Sequence, residues 1–557
     1  MKQQWWHDKV VYQIYPKSFC DTTGSGIGDL NGITKHLDYL QDLGVDIIWL
    51  SPCYPSPMAD QGYDISDYRN IHPDFGTLED FDRLVAEAKA RNIGIIMDLV
   101  ANHCSDEHPW FQAAMKDPYG EYGKYFYLEE GMDGGAPNNW RSYFGGSAWE
   151  KVPATDNLYY LHMFHKKQPD LNWENPKVRR EIYDLVNFWF DRGVVGFRID
   201  AITDIKKPKT LRGRNYPPDR EDGMVFCKRM LQDAHGIGEF LTELKEECFL
   251  PHQAFTVGEV SGQREEETAD YVGVDGYFSS MFDFEVVSEE SKDGGEWYKK
   301  KFITPSMYRR AMERTQKRME PIGLISTVLE NHDVPRIVNR MLRDEDRCDA
   351  AKKALAVLYL FQKGIPFIYQ GQEIGMENTY NPDVFSMQDV SSHGEYRAAI
   401  DAGVSEADAV AIVNRYSRDN ARTPFQWDDS PQAGFTTGTP WLAVNPNYKT
   451  INAAAEVGRE DSVYAFYKAA IALRKDATYH DTMVYGRFDP IACADESVIA
   501  YARVDGNRRI VVVCNLQSKT TSIPIYGSKV LLNNYDHLQR EADSMELLPF
   551  QAVVLKD

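Results

Sequence analysis

The sequence predicts an α/β protein, a (β/α)8 TIM barrel with an inserted subdomain after strand three and a C-terminal antiparallel β-sandwich domain. Three observations predict this class. Short apolar runs alternate with amphipathic helical segments, polar residues follow several of those runs, and short strands of alternating polarity occupy the end of the chain. Parallel strands covered by helices are apolar along their length, so functional groups are expected at their carboxyl ends.

Eight apolar runs are predicted to be the barrel strands. Helical segments such as Leu78–Arg91 and Val178–Arg192 lie between them, and this alternation favours a parallel sheet joined by right-handed crossovers. A count of eight favours a closed barrel over an open doubly wound sheet. In chain order the predicted strands are Val10–Pro16, Asp46–Pro52, Ile93–Val100, Val194–Asp200, Phe255–Val260, Tyr277–Glu285, Leu324–Asp333 and Ile365–Gly371.

Two long interruptions divide the predicted barrel. Residues 104–172 are rich in Gly, Pro, Asn, Trp and Tyr and show little helical periodicity, and they are too long for a strand-to-helix loop. We therefore predict an inserted subdomain there. A second polar excursion, about 376–430, follows the eighth strand. The barrel domain is then predicted to comprise residues 1–103 and 173–480, and a small all-β domain the remaining residues, 481–557.

Composition restricts the classes of partner. The formal net charge is 62 − 84 = −22, which disfavours nucleic acid and anionic membranes. The eight cysteines form no CxxC pair or zinc spacing, so we expect free thiols in a reducing compartment. The segment Met1–Asp8 has no apolar signal region, and no stretch approaches the roughly 20 apolar residues of a membrane span. A soluble cytoplasmic protein is expected, as a monomer or weak homo-oligomer.

Four segments place a carboxylate or an imidazole where an apolar run ends: Asp98–His103, Gly196–Asp200, Thr256–Val260 and Asn331–Asp333. Since parallel barrel strands present their carboxyl ends at one face, we expect these groups to meet there. Together with Gln168-Pro-Asp-Leu-Asn172, the segments resemble the conserved regions of the α-amylase family, glycoside hydrolase family 13. Further matches to that family are Val11–Pro16, Gly62–Asp64 and Ser417–Pro424.

The Gln-Pro-Asp-Leu-Asn form resembles the oligo-1,6-glucosidase subfamily, and the likeness extends over essentially the whole chain. That subfamily also holds dextran glucosidases, α-glucosidases, sucrose isomerases and trehalose-6-phosphate hydrolases. Breaking an α-glycosidic bond with retention needs a carboxylate nucleophile and a second carboxylic acid about 5–5.5 Å away. The resemblance implies that Asp200 is the nucleophile and Glu259 the acid/base. It also implies that Asp333 binds the 2- and 3-hydroxyls and stabilises the transition state.

The resemblance also implies the substrate-binding residues. Arg198, which shares a strand face with Asp200, would keep the nucleophile ionised, although a structural ion pair is the alternative. Tyr63 would stack under the terminal sugar, Asp64 and Arg418 would clamp its 4- and 6-hydroxyls, and such a closed pocket implies exo-action. Gln168 is also expected to line the pocket. The other expected pocket residues, for which packing roles are the alternative, are His103, Phe144, Phe164 and His332.

Two departures from the family pattern concern metal binding and linkage. The loop Asp21–Asp29 resembles a calcium site, but Thr23 and Ser25 stand at middle ligand positions, so only two carboxylates remain and we predict weak or no binding. Its glycines suggest a phosphate loop, which we reject because no Lys-Ser/Thr pair follows. Ala201 contacts the second sugar by resemblance. Valine there accompanies α-1,6 and threonine α-1,4 preference, so alanine leaves the linkage open.

The prediction is therefore a retaining exo-α-glucosidase that acts on isomaltose-like oligosaccharides without a cofactor. The stretch before Asn331 lacks the Arg-Leu-Asp-Arg-Asp sequence typical of sucrose isomerases, which favours hydrolysis. The alternatives within the family are a sucrose isomerase or transglucosidase and a trehalose-6-phosphate hydrolase. The alternative outside enzymes is a catalytically inactive barrel ectodomain, disfavoured because Asp200, Glu259 and Asp333 are all present.

Overall fold

The computed structural model describes residues 3–273, 275–292 and 295–557. Met1 and Lys2, which belong to the N-terminal segment without an apolar signal region, lie outside the described residues. By contact density the chain forms two compact units. The first comprises Met1–Ile48, Glu87–Ile93 and Phe282–Asp557, and the second comprises Trp49–Ala86 and Gly94–Met281.

Eight strands form the predicted parallel barrel, in the sheet order β6-β5-β4-β3-β2-β1-β8-β7. Phe282, directly after β6, makes a parallel bridge to Ser326 of β7 and so nearly closes the sheet. Each observed strand is shorter than its prediction, because residues at one or both predicted ends lie outside the hydrogen-bonded ladder. The strands β1 to β8 are Val11–Ile14, Ile47–Leu50, Gly94–Val100, Gly196–Asp200, Phe255–Gly258, Ser280–Met281, Ile325–Val328 and Gly364–Tyr369.

Helices follow the barrel strands. The predicted helix Val178–Arg192 illustrates the local sequence features that form them. It is observed as Pro176–Asp191, with the Asn175 side chain accepting from Lys177 N at 3.0 Å and a proline in the first turn. Its buried positions recur at helical spacing. The α-helices of eight or more residues are Leu78–Ala90, Pro109–Lys116, Pro176–Asp191, Ile237–Leu244, Pro305–Met319, Asp349–Leu360, Val390–Asp401, Glu406–Tyr416 and Val463–Lys475.

The shorter α-helices are Leu30–Lys35, Leu37–Leu43, Thr268–Tyr271, Glu285–Glu290, Ile337–Met341, Asp419–Arg422, Ala453–Glu456 and His480–Val484.

Within the described residues no helix is both long and apolar enough to cross a membrane. All eight cysteines are free thiols in the structure.

The region after β3 contains a small antiparallel sheet of Leu128–Glu130, Leu158–Leu161 and Trp149–Lys151. It also contains the helix Pro109–Lys116, which the weak periodicity did not predict. The His108 cap, accepting from Trp110 N at 3.1 Å, and the first-turn proline are the local causes of that helix.

The core of this region extends beyond residues 104–172. It includes Leu211, Tyr216, Val225 and Met230 from the segment after β4. Trp140–Arg141 also pairs in parallel with Val225–Phe226 of that segment. The predicted domain boundaries themselves stay a prediction.

The C-terminal part is an antiparallel sheet domain, as predicted. A five-stranded sheet and a three-stranded sheet enclose one apolar core, to which both contribute buried side chains. The first sheet has the order Arg487–Ile491, Val498–Asp505, Arg508–Asn515, Ala552–Lys556, Lys529–Asn533, and the second the order Thr521–Pro524, Ser544–Leu547, Gln539–Arg540.

A buried carboxyl in the first unit makes stability depend on pH. Glu373 is fully buried, and its Oε1 accepts from the hydroxyls of Tyr12 at 2.8 Å and Tyr39 at 2.7 Å. Its Oε2 has no hydrogen-bond partner among the described residues. Burial raises the pKa of Glu373 from 4.5 to about 7. The folded state therefore binds this proton more tightly than the unfolded chain does.

We expect the Glu373→Gln variant to be more stable than the wild type above neutral pH. The proton-linked stability is fully present below pH 4.5 and is lost as the pH rises to about 7. The variant, which stays neutral, should exceed the wild type by up to about 3 kcal/mol of unfolding free energy at about pH 8, and by much less near pH 5. Urea unfolding at both pH values measures this. The exposed control Glu460→Gln should show no such pH-dependent difference. An equal difference at both pH values would contradict the prediction.

Candidate active site

Arg198 is the centre of a buried charged cluster in the second unit. Its Nη1 donates to Asp98 Oδ1 at 2.8 Å and to Asp200 Oδ1 at 2.7 Å, and its Nη2 donates to Glu259 Oε2 at 2.7 Å. The Arg198 side chain is 2% exposed, whereas those of Asp200 and Glu259 are 11% and 26% exposed. One guanidinium thus holds together two carboxylates that solvent and small molecules can reach.

Strand register explains how these side chains meet. Asp98 of β3 is paired with Arg198 of β4, and Val100 is paired with Asp200. Residues two apart on a strand share a face, so Arg198 and Asp200 point to the same side. Glu259 follows β5 directly, and its backbone N–H donates to the Ile199 carbonyl at 2.8 Å. Asp200, Glu259 and Arg198 therefore meet at the ends of β4 and β5. Asp333 lies in the other unit, and its convergence with Asp200 and Glu259 stays a prediction.

Burial and neighbouring charges determine the pKa of Asp200. Burial, together with the charges of Glu259 and Asp98, raises the pKa of Asp200 well above its usual range, against the lowering effect of Arg198. Neighbouring carboxyls of this kind release their protons as a set. Asp200 therefore binds a proton more readily than an isolated carboxyl does, and the Arg198 guanidinium opposes this effect.

Asp98 belongs to this cluster but was not among the site residues predicted from the sequence. Its Oδ2 accepts from the Tyr63 hydroxyl at 3.0 Å and from Trp49 Nε1 at 3.2 Å, in addition to the Arg198 ion pair. The residue is fully buried within an otherwise apolar strand. A charge in a buried strand is costly unless it is paired, and this was the signal that could have identified it.

The backbone of Ala201 supports the side chain of Glu259. Its N–H donates to Glu259 Oε2 at 2.9 Å, and its φ of 41° lies in the left-handed region. This backbone conformation suits a small side chain better than a β-branched one. Ala201 is thus placed beside the predicted acid/base, while the linkage preference stays open.

The Gln168–Asn172 segment supports His103 and the pocket wall. His103 Nε2 lies 3.1 Å from Gln168 Nε2, and burial lowers the pKa of His103 to about 4, so the ring is neutral. Asp170 accepts from Met163 N at 2.9 Å and forms a fully buried ion pair with Lys207 at 2.6 Å. This pair, which the sequence did not predict, ties the segment to the chain after β4.

The two predicted pocket phenylalanines lie together near His103. The Phe164 ring centroid is 5.0 Å from the His103 ring and 6.2 Å from the Phe144 ring. Phe164 also packs on the core of the inserted region, and its ring stacks on Tyr143 at 4.3 Å. Phe164 therefore combines a position beside His103 with the packing role that was its alternative.

Asp64 is fully buried and is held by its own loop. Its carboxylate accepts from Ser56 Oγ at 2.9 Å, Ala59 N at 2.8 Å and Asp60 N at 3.0 Å. Burial raises the pKa of Asp64 above its ordinary value. Asp64 and Arg418 belong to different units, and the clamp expected from them stays a prediction.

Asp333, in the first unit, accepts hydrogen bonds from three cationic or imidazole groups. His332 Nε2 lies 3.0 Å from its Oδ2, while Arg422 Nη2 and Arg418 Nη1 donate to its Oδ1 at 2.9 Å and 3.3 Å. Burial raises the pKa of Asp333, but these neighbours outweigh it and hold the pKa well below its usual range. Asp333 is thus a permanent anion near neutral pH.

Two members of this second cluster were not predicted. Arg422 is 1% exposed and also donates from Nε to the His332 carbonyl at 2.9 Å. Asp389 accepts from Arg418 Nε at 2.8 Å and so fixes that guanidinium. Arg422 lies within the matched Ser417–Pro424 segment, which was the signal that could have identified it, whereas nothing in the sequence singles out Asp389.

The Asp21–Asp29 loop is closed by its own hydrogen bonds. Asp21 accepts from Gly26 N at 2.7 Å, Thr23 N at 2.8 Å and Thr436 Oγ1 at 2.5 Å, and these donors hold its pKa below the ordinary value despite burial. Asp29 caps the helix Leu30–Lys35 through Gly32 N at 2.7 Å. In the described part of the chain no group of His, Cys, Asp and Glu side chains is arranged for a metal.

We expect calcium and EDTA to leave the melting temperature unchanged, because N–H and O–H donors take the oxygens that would bind the ion. The Asp21→Asn variant should lose about 1–3 kcal/mol of unfolding free energy, to the same extent with and without calcium. Thermal unfolding in both media measures this. A calcium-dependent rise of the wild-type melting temperature that Asp21→Asn abolishes would contradict the prediction.

Comparisons with known proteins identify the family of the chain. The family model described as "Alpha amylase, catalytic domain" matches residues 13–486. An oligo-1,6-glucosidase of Parageobacillus thermoglucosidasius is 43% identical over 570 aligned residues, which cover 100% of this chain and 99% of the relative. A trehalose-6-phosphate hydrolase of Bacillus subtilis (strain 168) is 39% identical and is covered to 98%, with 99% of this chain aligned.

Solved structures show the same likeness. The crystal structure of an isomaltulose synthase from Klebsiella sp. LX3 superposes with a TM-score of 0.93 and 37% identity, covering 100% of both chains. A family model matching most of the chain and full-length relatives near 40% identity establish the family. The chain therefore belongs to the α-amylase family, glycoside hydrolase family 13, and is a glycoside hydrolase that resembles oligo-1,6-glucosidases along its whole length.

Proposed function

We propose that this hydrolase is a retaining, exo-acting α-glucosidase that removes the non-reducing-end glucose from short α-glucosides, with isomaltose-type oligosaccharides as its preferred class. One observation carries the proposal. Asp200 and Glu259 accept hydrogen bonds of 2.7 Å from the two terminal nitrogens of one guanidinium, that of Arg198.

The shared Arg198 guanidinium supports retention, rather than inversion, of the configuration at the anomeric carbon. A guanidinium is a rigid planar fork, so carboxylates bonded to its two ends are kept within a short distance of each other. Retaining enzymes need carboxyl groups about 5–5.5 Å apart, whereas inverting enzymes need roughly 6.5–9.5 Å to admit a water molecule. The close pairing of Asp200 and Glu259 suits the shorter separation.

The reaction follows from the two roles. Asp200 attacks the anomeric carbon while Glu259 gives a proton to the leaving glycosidic oxygen, so the bond to the leaving sugar breaks as the bond to Asp200 forms. Glu259, now ionised, takes a proton from water, which attacks the anomeric carbon and releases Asp200. Arg198 interacts with both carboxylates throughout and offsets their mutual repulsion.

The remaining assignments are proposals made on the family resemblance. Asp333 would bind the 2- and 3-hydroxyls, for which its permanent negative charge suits it. The neutral ring of His103 would bind a further hydroxyl, His332 would bind another, and Arg418 with Asp64 would hold the chain end. A sugar ligand is supported by a solved relative, an isomaltulose synthase mutant from Erwinia rhapontici NX5 in complex with D-glucose.

A substrate panel tests the proposal against the activities of the relatives. The pure protein is incubated with isomaltose, maltose, sucrose, trehalose and trehalose 6-phosphate, and products are separated by chromatography. We expect glucose fastest from isomaltose, with wild-type turnover lost in Asp200→Asn. Isomaltulose or trehalulose from sucrose would instead identify an isomerase, and exclusive turnover of trehalose 6-phosphate would identify a phosphodisaccharide hydrolase.

A further inference from the structure

The segment 207–232, between β4 and the helix Ile237–Leu244, supplies a side chain that the assignments above do not use. Val225–Phe226 pairs with Trp140–Arg141 of the inserted region. Cys227 and Met230 are buried in the same core. These contacts fix the backbone around Lys228, which stands between the two buried positions.

Lys228 reaches the loop that follows the predicted acid/base. Its Nζ donates to Ser261 Oγ and lies 3.7 Å from Asp204 Oδ1. Ser261 is two residues after Glu259, and its carbonyl accepts from Thr203 Oγ1 at 3.0 Å, so the loops after β4 and β5 are joined at this point. Lys228 therefore lies beside the chain segments that carry Ala201 and Glu259.

Tyr143 connects this cation to the predicted pocket wall. Its hydroxyl donates to Asp204 Oδ2 at 2.9 Å, and its ring lies 5.7 Å from Lys228 Nζ. The same ring stacks on Phe164 at 4.3 Å and 4°. A continuous set of contacts thus runs from Phe164, beside His103, to Lys228.

Lys228 retains hydrogen-bonding capacity and access to solvent. An ammonium has three N–H donors, and in the described structure one is used by Ser261 and one faces Asp204. The Lys228 side chain is 17% exposed, whereas Asp204 is 1% exposed. The ammonium neutralises that buried carboxylate, so the pair as a whole offers donors without net charge.

On the basis of the α-glucosidase function proposed above, we propose that Lys228, together with Ser261, binds hydroxyl groups of the second, leaving-side sugar and selects an uncharged sugar there. Glu259 protonates the oxygen of the leaving sugar, so the residues that follow it on the same loop face the leaving group. The charge of Lys228 is balanced by Asp204, which favours a neutral sugar over a phosphorylated one.

Paired substrates test this assignment. Isomaltose places a sugar in the leaving-side site, whereas α-glucosyl fluoride has a single-atom leaving group and reports only on glucose binding and chemistry. We expect Lys228→Met to lower kcat/KM for isomaltose by about 10-fold or more, mainly through KM, because a hydrogen bond to a charged group is lost. The value for α-glucosyl fluoride should stay within about 2-fold of wild type. Ser261→Ala should also lower kcat/KM for isomaltose but not for α-glucosyl fluoride, by a smaller factor than Lys228→Met.

Two controls separate binding from structure. Lys209 is an exposed lysine of the same segment, and Lys209→Met should leave kcat/KM unchanged for both substrates. The double variant Lys228→Met/Asp204→Asn leaves no unpaired buried charge and should keep the selective loss on isomaltose. Equal losses on both substrates, or none on isomaltose, would overturn the assignment.

The outcome with trehalose 6-phosphate tests the class of sugar. A wild-type preference for it over every neutral disaccharide, lost in Lys228→Met, would overturn selection of an uncharged sugar. Failure of the proposed function has a different signature, because the wild type would then hydrolyse neither isomaltose nor α-glucosyl fluoride.

Discussion

Replacing Asp200 by Asn is expected to lower kcat on every α-glucoside by several orders of magnitude while the fold is retained. The amide cannot form the covalent glucosyl-enzyme, so the double displacement stops at its first step. Stability should be preserved or increased, because the raised pKa of Asp200 shows that its charge is disfavoured among Asp98 and Glu259. Steady-state kinetics and thermal unfolding of the same preparation measure both effects.

Replacing Glu259 by Gln should have a different kinetic signature. General-acid catalysis contributes about 10²–10⁴-fold, and the loss should be smaller for a leaving group that needs no protonation, such as p-nitrophenolate. Azide distinguishes the two roles. It should attack the glucosyl-enzyme of Glu259→Gln to give α-glucosyl azide, but should attack the substrate directly in Asp200→Gly to give the β-anomer.

A buried carboxyl outside the cluster serves as the matched control. Asp283 follows β6, accepts from Thr315 Oγ1 at 2.9 Å, and has a pKa raised by burial to about 6. Asp283→Asn removes a comparable group, and its kcat should stay near the wild-type value. Full activity in Asp200→Asn, or α-glucosyl azide from Asp200→Gly, would contradict the assigned roles.

Replacing Arg198 by Ala is expected to be the most damaging single change to both activity and stability. It leaves Asp98, Asp200 and Glu259 without their shared cation, and breaking a buried ion pair from one side costs about 3–5 kcal/mol. Activity should fall by several orders of magnitude, since the two predicted catalytic carboxylates would repel each other and lose their relative position. Urea unfolding and kcat on isomaltose measure the two losses.

Two further variants show that Arg198 acts through geometry as well as charge. Arg198→Lys keeps the charge but loses the two-ended fork, so it should regain part of the stability and little of the activity. Combining Arg198→Ala with Asp98→Asn removes one repelling charge and should also recover stability without activity. Recovery of wild-type kcat in Arg198→Lys would contradict the role given to the guanidinium fork.

The barrel and its main carboxylates could be predicted because the signal is local. Each of the eight strands is an apolar run, and Asp200 and Glu259 stand where such a run ends, so strand position alone brings them to one face. Asp98 was missed because its role depends on register. A charge within an apolar strand indicates that Asp98 is paired, and the register of β3 with β4 identifies Arg198 as the partner.

Long-range packing accounts for the other omissions. The ion pair between Asp170 and Lys207 joins residues 37 positions apart, and no periodicity in either segment indicates it. The same holds for Lys228, which reaches Ser261 only because Val225–Phe226 pairs with a strand of the inserted region. Asp389 fixes Arg418 from the N-cap of the helix Val390–Asp401, whose sequence carries no family motif.

The stereochemistry of the first product tests the central claim most directly. Proton NMR during the first minutes of isomaltose hydrolysis, before mutarotation, shows which glucose anomer the enzyme releases. Retention through Asp200 and Glu259 predicts α-glucose first, followed by slow appearance of the β-anomer. Initial release of β-glucose would show inversion and contradict the double displacement that the shared Arg198 contact supports.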